Sequence, residues 1–425
     1  MTTRLTVTAR TIIVLLSAVV FAMTACVKDH CKKTHAYTYF IPVYKSQAEV
    51  VAGIKSNEPK AMEKTGKIYI YGKYVFLNEI DRGIHVIDNT NPSSPKNIGF
   101  IDIPGNVDLA VKENVLYADM YGDLVALDIS DPRNVKLLKK LDDVFMERKW
   151  MGGFSTSRNG EIVVDWIQKD TVVEMSCERE VNIFAGQADV FFLAAASNSN
   201  KSVSPVGMGG SMARFTIVND YLYTVDNHSM NIFSISSASN PVRKDHVFAG
   251  FDIETIYPFK NTLFVGSMNG LYIFDISNPL SPARVGEFNH ARACDPVIAD
   301  EKYAYVTLRE GTNCGPAKNE LLVLNVENLR SPSLVKQYEM GRPHGLAKDG
   351  DLLLICDGQF GLKILNAAKP NDLKSLGTIG NIDTYDVIMM NKIALVVAKD
   401  GLYQYDYSDV SNIRLLSKIQ VENKP

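Results

Sequence analysis

Gly270-Leu-Tyr-Ile-Phe-Asp-Ile-Ser-Asn-Pro279 is a short apolar run that opens on glycine, ends on aspartate and closes in a polar turn. The pattern recurs as Gly83-Ile-His-Val-Ile-Asp88 before Asn91-Pro92, and as Asp123-Leu-Val-Ala-Leu-Asp128 before Asp131-Pro132. Weaker copies end at Ser234, Asn325, Asn366 and Asp406. The marker positions 88, 128, 234, 275, 325, 366 and 406 are spaced by 40, 106, 41, 50, 41 and 40 residues. A fixed period near 40 with a strand at its heart is the signature of a repeat architecture.

Each repeat holds four strand-like pieces. In the copy around Gly270 these are Glu254 to Pro258, Thr262 to Gly266, Leu271 to Ile276 and Ala283 to Phe288. Asn219-Asp220, Asp349-Gly350 and Asn391-Lys392 supply the residues that tight hairpins require. Four hairpin-linked strands per repeat predict an all-β propeller of four-stranded blades. The third strand is almost wholly apolar, as expected where blades stack face to face and bury both of its sides. The 106-residue step leaves room for an atypical blade over about 146–195, with Glu161 to Ile167 and Thr171 to Met175 as strands. A loop at Ser197 to Gly210 and a regular strand from Met212 would follow. That reading gives eight blades over 66–421; seven blades with a large insertion at 142–211 is the alternative.

The N-terminus carries an address. Arg4 and Arg10 precede the apolar run Ile12 to Phe21, followed by Met23-Thr-Ala-Cys26. This order describes a secretory signal over 1–25. Its small-small-Cys ending resembles the lipobox of bacterial lipoproteins, which implies acylation of Cys26 and a membrane anchor. Val27 after the cysteine implies the outer membrane of a Gram-negative bacterium, facing the periplasm or the cell surface. Residues 26–65 read as a tether, a strand over Tyr37 to Tyr44, and a short helix over Gln47 to Ile54 opened by a Ser46/Glu49 capping box. This segment is expected to cover the outer edge of a blade.

The repeat stretch Gly-Leu-x-Ile-x-Asp-Ile-Ser-Asn-Pro, together with Tyr303-Ala-Tyr-Val306, resembles the LVIVD repeat. The resemblance spans 66–421 apart from 142–211. It implies a secreted or surface-anchored bacterial β-propeller, and it is specific for fold and nearly silent on activity.

In a propeller, the entry to each innermost strand and the exit from each second strand lie on one face, around the channel mouth. The entries are Asp108, Arg214, Glu254, Asp295, His344 and Asp386; the exits are Glu79, Asp119, Asp226, Arg309, Asp357 and Lys399. From this ring, Asp108, Arg214, Glu254, Asp295, Arg309, His344, Asp357 and Asp386 are the candidate ligand-binding residues. Mixed charges converging on one funnel suit a polar ligand held by charge-assisted hydrogen bonds.

Other chemistries find less support. The net charge of −3 gives no broad basic field for nucleic acid. The seven histidines show no metal-binding pairing, and no Gly-x-Ser-x-Gly elbow nominates a nucleophile. No cofactor, metal or catalytic residue is therefore assigned. Asp88, Asp128, Asp275 and Asp406 read as turn formers bonding their own backbone. Cys294 and Cys314 flank one hairpin and are expected to form a disulfide in an oxidising compartment, with Cys356 a small core residue. The expected function is a monomeric binding module whose funnel takes a protein or glycan partner. The alternative is a hydrolase or lyase acting on an extracellular polysaccharide or peptide. A third option is an outer-membrane assembly role in which 197–210 contacts a partner.

Overall fold

The computed structural model describes residues 32–145, 161–176, 207–294, 296–311 and 318–422. These form eight sheets, seven of which contain a four-stranded antiparallel meander. The blades, in chain order, span 68–102, 109–141, 215–248, 253–289, 297–339, 346–379 and 384–420. In blade 4 the strands are Ile253–Phe259, Thr262–Ser267, Gly270–Asp275 and Ala283–Asn289. Successive blades touch through their first strands, which are therefore innermost. The third strand is buried except at its last residue in Gly83–Asp88, Gly270–Asp275 and Gly401–Asp406.

The blade count follows the seven-blade alternative. Blade 2 packs directly on blade 3: Lys112 Nζ lies 2.5 Å from Asp220 Oδ1, and the Tyr117 hydroxyl donates to Ala238 O at 2.7 Å. No further blade fits between them. Among the described residues, the stretch expected as an eighth blade instead contributes one long strand, Glu161–Ser176, paired with Lys32–Ser46 in a two-stranded ribbon. Thr38 Oγ1 donates to Asp170 Oδ1 at 2.6 Å within it. Of the described residues, 32–43 and 165–176 belong to a compact unit of their own. The regular strand expected from Met212 begins at Phe215.

The segment before blade 1 departs from expectation in one part: residues 32–36, read as tether, already belong to the strand Lys32–Ser46, while the helix forms two residues shorter than expected. Gln47–Ala52 is an α-helix with the full Ser46/Glu49 capping box. Lys55–Asn57 then pairs with Lys96–Asp102, covering the outer edge of blade 1. Each blade is continuous in sequence, so the ring closes by contacts between blades 7 and 1. Met62 bridges Val421, and Thr65 Oγ1 donates to Ala398 O at 2.9 Å. The Asn89 and Gln404 amides pair in both directions, at 3.0 and 2.7 Å. The aspartates that end the third strands bond their own turns. Asp275 Oδ1 accepts from Ser277 N and Oγ at 2.8 and 2.6 Å, and Asp88, Asp128 and Asp406 do likewise. Asp406 is held down to about 2, first by the Ser408 hydroxyl and then by its backbone N–H.

Candidate functional site

The innermost-strand entries and second-strand exits do meet on one face. Asp119, leaving the second strand of blade 2, accepts from the backbone of Val107 and Asp108, which enter the first strand. From there a chain of charged groups runs around the axis. Lys67 of blade 1 places its ammonium 2.7 Å from Asp108 Oδ2, with both side chains at most 4 % exposed. Burial pulls the Lys67 pKa down, with the Asp108 charge opposing it. The same Asp108 oxygen accepts from Arg214 N at 2.5 Å, and Arg214 Nε donates to Glu254 O at 3.3 Å. These contacts tie blades 1 to 2, 2 to 3 and 3 to 4. Several members of the predicted ring therefore hold neighbouring blades together.

Other members hold loops. Asp226 Oδ1 accepts from His228 N and Ser229 N, and Asp357 Oδ1 accepts from Gly341 N and Arg342 N at 3.0 and 2.8 Å. Glu79 receives His85 Nε2 at 2.9 Å and Arg82 at 3.0 Å. Lys399 is exposed. Asp295 and Cys314, like Cys26, lie outside the described residues. Cys294 is buried and disulfide-bonded, and its backbone bridges Arg309 at the root of its hairpin. Cys356 is a buried free thiol whose pKa burial pushes well up.

The axis itself is filled. Met208–Gly209 forms a short strand on the innermost strand of blade 1, with Met208 opposite Ile70. Gly207 N donates to Val111 O of blade 2 at 3.0 Å. Ser211 Oγ accepts from Leu346 N of blade 6 at 3.2 Å, and Ala213 O from Ile256 N of blade 4 at 2.7 Å. One segment thus bonds to four blades, and Ser211 and Met212 are fully buried. A Cβ on Gly207 would sit 2.4 Å from the Tyr69 ring, so only glycine passes there. The sequence expectation of an open funnel missed this segment. Its trace is the run Gly207-Met-Gly-Gly210, small residues suited to a narrow passage.

The blade 5 to 7 side of the mouth differs in chemistry. His344 is 5 % exposed, and neither ring nitrogen has a hydrogen-bond partner among the described residues. Its ring meets Tyr385 edge-on at 5.4 Å. Its backbone is fixed on both sides, donating to Cys356 O and accepting from Thr307 Oγ1, each at 2.7 Å. Burial holds the imidazole well below its ordinary pKa, and the charges of Arg309 and Arg342 add to this. Arg309 is itself 8 % exposed; burial lowers its pKa, Glu254 opposes and Arg342 reinforces. Next to them Asp386 is fully buried, and Gly345 is required because a Cβ there would lie 2.4 Å from Asp386 Oδ1. A neutral histidine under the influence of two guanidinium charges is an arrangement that an incoming anion would stabilise. Arg342 and Tyr385 complete the site, while Lys67 belongs to the charge chain between blades 1 and 2. Lys67 was legible by the entry rule, since it precedes the first strand of blade 1; the other two had no sequence signal.

The LVIVD repeat family matches residues 64–102, 105–143 and 261–290. A search of curated proteins finds no match. Among solved structures, a Lactobacillus plantarum protein aligns with a TM-score of 0.54 at 12% identity, over 84% of this chain and 97% of its own. The computationally designed Ika8 protein aligns at 0.51 and 11% identity, over 85% and 88%. Sqt1 of Saccharomyces cerevisiae aligns at 0.50 and 9% identity, over 84% and 86%. At such identities the likeness speaks for the fold alone. With the blades, the closed ring and the family match together, the chain is a β-propeller that carries LVIVD repeats at 64–102, 105–143 and 261–290.

Proposed function

We propose that this propeller is a lipid-anchored binding module, held in the outer membrane through Cys26, that takes an acidic group of a protein or glycan at the mouth of blades 5–7. The observation that carries this reading is the buried His344, with two unpartnered ring nitrogens beside Arg309 and Arg342. A buried polar group without partners costs free energy, and a carboxylate or sulfate arriving there would supply an acceptor. Arg309 and Arg342 would then bond the anion while His344 takes up a proton to donate to it. The blade 1 to 4 side serves as scaffold, its charges already spent on neighbouring blades.

The test is binding of the immobilised full chain to arrays of uronic-acid and sulfated glycans and of acidic peptides, each beside a neutral counterpart. Arg309→Met and His344→Leu are run in parallel. Acidic probes should be captured by the native protein and lost by both variants. Equal capture of neutral probes, or capture untouched by either substitution, would place binding elsewhere.

A further inference from the structure

The seam between blades 7 and 1 is built differently from the others. In every blade, one residue of the second strand points at the next blade, opposite a fixed position of the third strand. These pairs are Phe76 with Val86, Tyr117 with Ala126, Tyr223 with Ile232, Phe264 with Ile273, Tyr305 with Val323, Leu354 with Ile364 and Leu395 with Gln404. The first five blades therefore send an aromatic ring into the seam. The Tyr117 hydroxyl ends on Ala238 O and that of Tyr223 on Pro279 O, the same turn position of the following blade. Blade 6 sends only Leu354, but Tyr407 enters that seam from blade 7 and reaches Asp349 Oδ2 at 3.1 Å.

At the closing seam neither of these two positions carries an aromatic residue. Blade 7 offers Leu395, and the residue of blade 1 in the place of Tyr407 is Asn89, turned to Gln404. What results is a cavity of 380 Å³. Ile70, Val75, Met390 and Leu395 line its apolar part, Tyr74 stands at its border, and Asn89 and Thr90 are among its polar walls. It opens on the face of the first hairpin turns, since Gly72 and Asn391 also border it. The funnel residues lie at the other end of the strands.

We propose that this cavity is a binding site for a small neutral hydroxylated aromatic molecule, seated where the neighbouring seams place a tyrosine ring. The volume falls within the range of small-molecule pockets, and apolar-lined protein cavities of this kind take aromatic guests. The ring would pack on Leu395, Val75 and Ile70, and Asn89 or Thr90 would meet its hydroxyl. An acid fits less well. The one cation at the rim, Lys73, is already 3.5 Å from Asp88. The guest would bridge the first and last blades, so its binding would favour the closed ring. The inference is independent of the funnel reading.

The probe is 4-fluorophenol, followed by fluorine NMR on the full chain, with fluorobenzene as the analogue lacking the hydroxyl. The resonance of 4-fluorophenol should broaden on adding native protein, with affinity about tenfold above that of fluorobenzene, as expected for one hydrogen bond. Leu395→Tyr should fill the site from within and abolish the broadening. Because that variant can fail by misfolding, the native protein is also labelled at its methionine methyl groups, and Met390 should shift on titration. Three results would overturn the proposal: no binding at millimolar probe, binding that leaves the Met390 methyl unmoved, or undiminished binding by a folded Leu395→Tyr.

Discussion

The Asn89–Gln404 pair offers a quantitative test of how the ring closes. Gln404 is fully buried, Asn89 is half-buried, and two hydrogen bonds join them across the ends of the chain. Asn89→Ile would leave both polar ends of a buried amide without partners, at a cost of about 2 kcal/mol. Gln404→Val should cost only about 1 kcal/mol, since water can reach the half-buried Asn89 that remains. The double variant recreates the apolar character of the seam between blades 3 and 4, where Ile276 and Ile232, both buried, hold these places. It should fall within about 1 kcal/mol of the native protein, which makes the coupling about 3 kcal/mol. Urea unfolding followed by circular dichroism, at constant slope, measures all four corners. Additive losses in the double variant would refute the idea that the amides are costly only when separated. So would a Gln404→Val loss larger than that of Asn89→Ile.

Cys26→Ser should release the protein from the membrane fraction, and unchanged retention on fractionation would defeat the anchor proposal. Peptide mapping without reductant should recover Cys294 joined to Cys314. Losing that bridge should cost about 3 kcal/mol on the chain-entropy account of a loop of roughly 20 residues, and finding Cys294 joined elsewhere would reject the pairing. His344 titrates lower when folded than the ordinary histidine value, so below about pH 6.5 the unfolded chain binds the proton first. Stability should therefore fall on acidification from that point by up to about 1.4 kcal/mol per pH unit. His344→Leu should flatten that slope, and an unchanged slope would mean that other groups set it.

The blades were readable because their period is written in local chemistry. Asp275 must bond Ser277, and Asn219 and Asn391 adopt the positive φ that tight hairpins need. The capping box at Ser46 was equally local. The blade number was not. Glu161–Ser176 alternates as a blade strand would, and nothing in it says that Lys32–Ser46 is its partner. The funnel residues were placed on the right face, but whether a carboxylate faces a ligand or a neighbour depends on contacts such as Lys67 with Asp108, across 41 residues. A charge pattern along the chain does not encode its distant partner.

The axial segment also has a kinetic meaning. Met208–Gly209 cannot pair with Ile68–Tyr71 until the chain beyond blade 2 has been synthesised, and Ser211 must then wait for Leu346, 135 residues later. The Thr65–Ala398 contact that closes the ring spans 333 residues. Long-range pairings of this kind slow folding, and at common synthesis rates of about 5–20 residues per second the last contact trails the first blade by tens of seconds. The inner edge of blade 1 stays unpaired until Met208–Gly209 arrives, and Ile68 and Ile70 stay uncovered until blade 7 packs on them. Blade 1 is therefore where a nascent chain is most open to capture by a chaperone or by another copy of itself.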